Sequence, residues 1–96
     1  MTIAHRTIAI YPGTFDPMTL GHQDLMRRAS TLFDHLVLAV AAGHHKRTMF
    51  SVEERLEIAT ELAQPYPNVE VVAFHGLLRD FVVARGGRVV VRGLRA

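Results

Sequence analysis

The sequence predicts an α/β domain built on a parallel, doubly wound sheet. Three observations carry that expectation. Short apolar runs alternate with amphipathic segments along the 96 residues, the runs are nearly continuous rather than polar at every second position, and turn residues follow their carboxyl ends. The length allows one small domain, with roughly 60–65% of the unfolded surface buried, which leaves little apolar surface to cover both faces of a sheet. An apolar fraction of 49% against 21% charged excludes a disordered chain.

The elements follow in order. Residues 7–11 are apolar and partly β-branched, and they run into Pro12-Gly13, which marks a strand entering a loop. From His22 to Phe33, Leu25, Met26, Ala29, Leu32 and Phe33 recur at helical spacing with Gln23, Asp24, Arg27 and Arg28 between them. Residues 36–41 form an apolar run typical of a strand covered on both faces. Ser51 and Glu54 form a capping box opening a helix to about Ala63, which Pro65 and Pro67 end. A third strand is expected over Val69–Phe74, a short helix over Leu77–Arg85 closed by Gly86-Gly87, and a fourth strand over Arg88–Arg92. Right-handed crossovers would make this a parallel sheet whose ligand site lies at the strands' carboxyl ends. The loops after Tyr11, Ala41, Phe74 and Arg92 are therefore expected to line the site.

Composition narrows the function classes. With no Cys, disulfides and Cys-type zinc sites are excluded. The longest uncharged apolar stretch, 36–43, falls far short of the roughly 20 residues of a membrane span, and no apolar block follows the basic residues near the N-terminus, so a soluble, cytoplasmic chain is expected. The net charge is only +2, but it is unevenly placed. Residues 51–70 hold Glu53, Glu54, Glu57, Glu61 and Glu70 against Arg55 alone, whereas residues 85–96 hold Arg85, Arg88, Arg92 and Arg95 with no acid. A basic end of this kind suits an anionic ligand, with a phosphorylated small molecule as good a candidate as a polynucleotide. No aromatic residues interleave the arginines as stacking platforms, which argues against nucleic acid.

The first loop carries the most chemistry. Gly13 permits close backbone approach, Thr14 supplies a hydroxyl and an N–H, and Gly21 leaves room beside His22 in the first turn of the following helix. Unpaired N–H groups and the helix dipole make that turn an anion site, to which an imidazole would add a donor. The plain alternative is an ordinary strand-to-helix turn with His22 as an exposed cap. Lys46 is either a phosphate ligand or solvated loop surface. The neighbouring His44 and His45 lack an evident third ligand, so no metal-ligating residue is assigned. Asp16 is favoured as a turn former over a base. Arg92 and Arg95 either end a strand or face an anion across Gly93.

Residues 13–22 match a Gly-Thr-Phe-Asp-Pro-x-x-x-Gly-His signature, by which the chain resembles the nucleotidyltransferase superfamily. With Arg92-Gly-Leu-Arg95, Phe33-Asp-His35, Lys46, Met49-Phe50, Glu53-Glu-Arg55 and the run from Asn68 to Val72, it resembles the phosphopantetheine adenylyltransferase family within it. The resemblance implies a Rossmann-like nucleotidyltransferase fold and transfer of the adenylyl group of ATP to 4′-phosphopantetheine. The products would be dephospho-coenzyme A and pyrophosphate, a step of coenzyme A biosynthesis, with Mg²⁺ carried on ATP and a homo-oligomeric, commonly hexameric, assembly. By position, it implies that Thr14, Lys46, Leu78 and Arg92 meet the pantetheine substrate. Thr14, Phe15, His22, Gly93, Leu94 and Arg95 would meet ATP, with His22 stabilising the transition state.

Such a transfer needs no protein nucleophile: a substrate phosphate oxygen attacks the α-phosphorus, and the protein positions and neutralises charge. One departure stands out. The chain ends at Ala96 without the acidic ATP contact and the Ser-rich ATP loop of that family, so residues 1–96 are expected to be the N-terminal part of a single nucleotidyltransferase domain, truncated before its C-terminal elements and weak or inactive alone. Two other readings stay open: a related cytidylyltransferase acting on an alcohol phosphate, and a non-catalytic module that binds phosphate or nucleotide.

Overall fold

The structure is a computed structural model and describes residues 6–43 and 47–93. Its elements run β1 (Ile8–Gly13), α1 (Leu20–Leu32), β2 (His35–Ala41), α2 (Val52–Leu62), β3 (Val69–Phe74), α3 (Leu78–Ala84) and β4 (Val89–Val90). The four strands form one parallel sheet of order β3-β2-β1-β4. The chain thus steps outward from β1 to β3 and then crosses back to the far side of β1, which puts the topological switch point between β1 and β4.

The two faces are unequally covered. Ala9, Tyr11, Leu36, Leu38 and Val40 pack with Met26 and Ala29 of α1 and Ala59 of α2. On the opposite face only Ile10, Val37 and Ala39 are fully buried, beneath Leu78, Phe81 and Val82 of α3. The thin second layer leaves Val83 74% and Val90 39% exposed, as the shortage of apolar surface foretells. Beside it, at the amino end of the sheet, Glu70 pairs with Arg85 and with His35, whose Nε2 lies 2.9 Å from Oε1.

Local chemistry explains the boundaries. Strand β1 extends through Pro12 because its odd residues face β2 while the carbonyls of Ile8 and Ile10 accept from Arg88 and Val91. Pro12, next in that even series, lies past the end of the β4 ladder, so its missing N–H costs no hydrogen bond. Helix α1 starts at Leu20, two residues before the expected start, because Thr19 is its N-cap. Helix α2 has the anticipated box: Ser51 Oγ accepts from the Glu54 N–H at 3.1 Å and Glu54 Oε1 from the Ser51 N–H at 2.9 Å. Helix α3 ends in a Schellman turn, in which the Gly86 and Gly87 N–H groups donate to the carbonyls of Val83 and Val82. Gly86 supplies the positive φ of 69°, and at Gly87 an added Cβ would stand 2.7 Å from Ile10 Cγ1. The fourth strand pairs over two residues rather than the five expected.

Candidate functional site

All four strands deliver their carboxyl ends to one cleft of about 380 Å³ lined by Pro12, Gly13, Thr14, Ala41, Phe74, Arg92 and Gly93. Of the residues singled out in the sequence, Thr14, Arg92 and Gly93 meet there, across the switch point. Arg92 and Gly93 are exposed, so the guanidinium is presented to incoming anions at the rim. Leu78 opens α3 and packs with the apolar cluster under that helix rather than lining the cleft. Lys46, Leu94 and Arg95 lie outside the described residues, as do His44 and His45.

Phe15 is the keystone of the first loop. It is a non-glycine residue at a positive φ of 51°, a conformation that costs energy and has to be held by its surroundings. Its buried ring is held edge-on to Tyr11 at 5.2 Å and to His22 at 5.1 Å between ring centroids. Gly13 makes the arrangement possible, because a Cβ there would stand 2.8 Å from Phe15 Cζ. Tyr11, buried beside it, has its phenol pushed above the ordinary value by desolvation and stays neutral.

His22 sits at the third position of α1 and takes the part that Glu or Gln usually plays in a capping box. The Thr19 N–H donates to its Nδ1 at 2.9 Å, and the His22 N–H donates to Thr19 Oγ1 at 3.3 Å. Because Nδ1 accepts, the neutral ring carries its proton on Nε2. The imidazole is thereby a donor of fixed tautomer at a helix N-terminus, a combination suited to phosphate oxygens.

Two further residues were not assigned a site role from sequence. The Asp16 carboxylate does not form the local turn anticipated for it. It accepts the N–H groups of Met49 at 2.5 Å and Phe50 at 2.8 Å, tying the first loop to the segment before α2. Arg55 is 2% exposed and, among the described residues, donates to carbonyls: from Nε to Phe50, and from Nη1 to Thr14 at 2.8 Å and Ala41 at 2.9 Å. Its signal was present in the sequence, for Arg55 falls on the apolar stripe of Val52, Leu56 and Ala59, where a solvated arginine has no place.

A parallel sheet with its switch point beside a cleft, a glycine-bearing strand-to-helix turn and an arginine at the rim defines an α/β nucleotidyltransferase-like domain. The chain belongs to the cytidylyltransferase-like family, whose profile matches residues 10–96. It is 61% identical over 89 residues to a phosphopantetheine adenylyltransferase of Paraburkholderia phymatum, covering 93% of this chain and 53% of that protein. It is 54% identical over 94 residues to one of Acidovorax sp., covering 98% and 56% respectively. The chain spans about half the length of the curated relatives it matches. Among solved structures, the lipopolysaccharide core biosynthesis protein of Thermoplasma volcanium shares the fold with a TM-score of 0.69 at 23% identity, over 90% of this chain and 73% of that one.

Proposed function

We propose that this chain forms the 4′-phosphopantetheine end of an adenylyltransferase site, in which the adenylyl group of ATP passes to the substrate phosphate to give dephospho-coenzyme A and pyrophosphate. The observation that carries this reading is the cleft at the switch point, which Thr14 after β1 and Arg92 after β4 both line. The 54–61% identity to proteins named phosphopantetheine adenylyltransferase favours the pantetheine substrate and ATP over an alcohol phosphate and CTP. In this reading the substrate phosphate lies at Thr14 and the Arg92 guanidinium binds its oxygens, with Lys46 as a further ligand. His22, at the start of α1, donates from Nε2 to the ATP phosphates as charge gathers on them, and Phe15, Gly93, Leu94 and Arg95 complete the nucleotide contacts.

Mg²⁺ belongs with the nucleotide. Among the described residues no group of three His, Cys, Asp or Glu side chains could hold a metal, and both Asp16 oxygens are occupied by backbone N–H groups. The cation would ride on the ATP phosphates, shielding their charge and keeping most of its water. A homo-oligomer, hexameric as the family resemblance implies, and a cytoplasmic location complete the reading. Among the described residues no helix is long and apolar enough to cross a membrane.

The test is pyrophosphate release by the chain with 4′-phosphopantetheine and either ATP or CTP, alongside calorimetric binding of 4′-phosphopantetheine. Release with CTP but not ATP overturns the adenylyl assignment. Binding without turnover supports a binding module for these 96 residues, and absence of binding removes the substrate.

A further inference from the structure

Among the described residues, the most unusual charge is the one buried from solvent. Arg55 is buried on the inner face of α2, and among the described residues its hydrogen-bond partners are three backbone carbonyls rather than a carboxylate. Burying a cation among neutral dipoles is costly, and a carboxylate partner would have been the cheaper solution. The positions of the three carbonyls show what the arrangement achieves. Thr14 and Ala41 both line the cleft, at the ends of β1 and β2, and a single nitrogen, Nη1, bridges them from behind. The third carbonyl, of Phe50, belongs to a residue whose N–H is held by Asp16, so the guanidinium and the Asp16 carboxylate together lock the first loop to the segment entering α2.

We propose that Arg55 is a positioning residue for anion binding: from beneath the cleft it fixes the Thr14 turn against the end of β2 and adds a buried positive charge behind the site. Two consequences follow from the geometry. The carbonyl of Thr14 is engaged by Nη1 and so is not available to repel an anion in the cleft that Thr14 lines. The charge also acts through the protein interior, where screening by salt is weak, so its attraction for phosphate persists at ionic strengths that mute Arg92 at the rim. Lysine cannot substitute fully, since one ammonium cannot reach three carbonyls in the guanidinium's planar arrangement.

The proposal rests on the phosphate-binding reading of the cleft, and the test separates the two. The chain and its Arg55→Met, Arg55→Lys and Arg28→Gln variants are titrated calorimetrically with pyrophosphate, 4′-phosphopantetheine and uncharged pantetheine. Arg55→Met is expected to weaken both anions about tenfold or more while pantetheine binding holds, Arg55→Lys to recover part of the loss, and the surface variant Arg28→Gln to match the unaltered chain. Equal loss of phosphorylated and unphosphorylated ligand, or no loss at all, overturns the proposal.

Should Arg55→Met fail to fold, guanidinium ¹⁵N resonances of the unaltered chain decide. Arg55 signals that shift on saturation with pyrophosphate support the proposal, and signals that stay fixed overturn it. Arg55-dependent binding of pyrophosphate without any binding of 4′-phosphopantetheine leaves the proposal standing and removes the adenylyltransferase reading. Tight 4′-phosphopantetheine binding indifferent to Arg55 does the reverse, and an unaltered chain that binds no anion overturns both.

Discussion

Gly13→Ala tests how tightly the first loop is wedged. The added methyl would meet Phe15 at Cζ, Cε2 and Cε1 at 2.8, 3.0 and 3.1 Å, so the ring has to withdraw by roughly half an ångström or more. It has little freedom to do so, being 3% exposed, flanked by Tyr11 and His22, and carried on a backbone at φ 51°. Overpacking of this kind costs about 1–3 kcal/mol, and the narrower unfolded ensemble of alanine returns about 0.4–1 kcal/mol, leaving a net loss of about 1–2 kcal/mol. For a domain of this size that lowers Tm by roughly 5–15 °C.

Urea and thermal unfolding followed by circular dichroism would measure it, with Gly21→Ala as the control. At Gly21 the nearest atom to an added Cβ is Thr19 Oγ1 at 3.7 Å, so that variant is expected to be no less stable, and about 0.5–1 kcal/mol more so if helix propensity prevails. Shrinking the ring should relieve the clash, so Gly13→Ala with Phe15→Leu is expected to show a coupling of about 1 kcal/mol in a double-mutant cycle. If Gly13→Ala were as stable as the unaltered chain, or damaged it no more than Gly21→Ala, the wedge would not exist.

Other expectations follow from the same structure. Met26 is fully buried between α1 and the sheet, and Met26→Ala should cost about 2–5 kcal/mol in denaturant unfolding; a loss below 1 kcal/mol would mean that the core collapses freely around it. Thr19→Ala should cost about 1 kcal/mol, and imidazole ¹⁵N spectra should show His22 protonated on Nε2 in the unaltered chain; a proton on Nδ1 contradicts the cap. Glu70 is held below its ordinary value of 4.5, first by the hydrogen bond from Arg85 and next by that from His35, outweighing the opposing effect of burial. A depressed carboxyl contributes stability that is fully present above its unfolded value and lost as pH falls through the folded one. Glu70→Gln should therefore flatten the stability profile below about pH 4.5, with a modest amplitude because Glu70 and Arg85 are each about a third exposed.

The sequence made the alternation of strands and helices legible because each element carries its own signal. The capping box at Ser51 is local, the closing pair Gly86-Gly87 is local, and the strand ends that line the cleft are marked by their own loops. The start of α1 was displaced because its reciprocal cap is a histidine, outside the usual Glu or Gln pattern. Asp16 and Arg55 were legible only in part for a different reason. Their partners lie 33 and 34 residues away for Asp16 and up to 41 away for Arg55, and all are backbone groups, which carry no side-chain identity for a sequence to display. The phase of Arg55 within α2 revealed that it is buried, but only the assembled sheet reveals which carbonyls it serves.

The two-residue ladder of β4 makes the cleft's completion the weakest link of the sheet. Strand β4 joins β1 from about 80 positions away, whereas β2 joins it from 27, so β4 closes the longer loop and gains fewer hydrogen bonds in return. On the proposed reading, an anion held between Thr14 and Arg92 would span that junction, and a bound ligand would act as a removable staple on the edge strand. Occupancy and docking of β4 are thermodynamically linked, and amide exchange at Val89 and Val90 should slow in proportion to ligand saturation before the central strands respond.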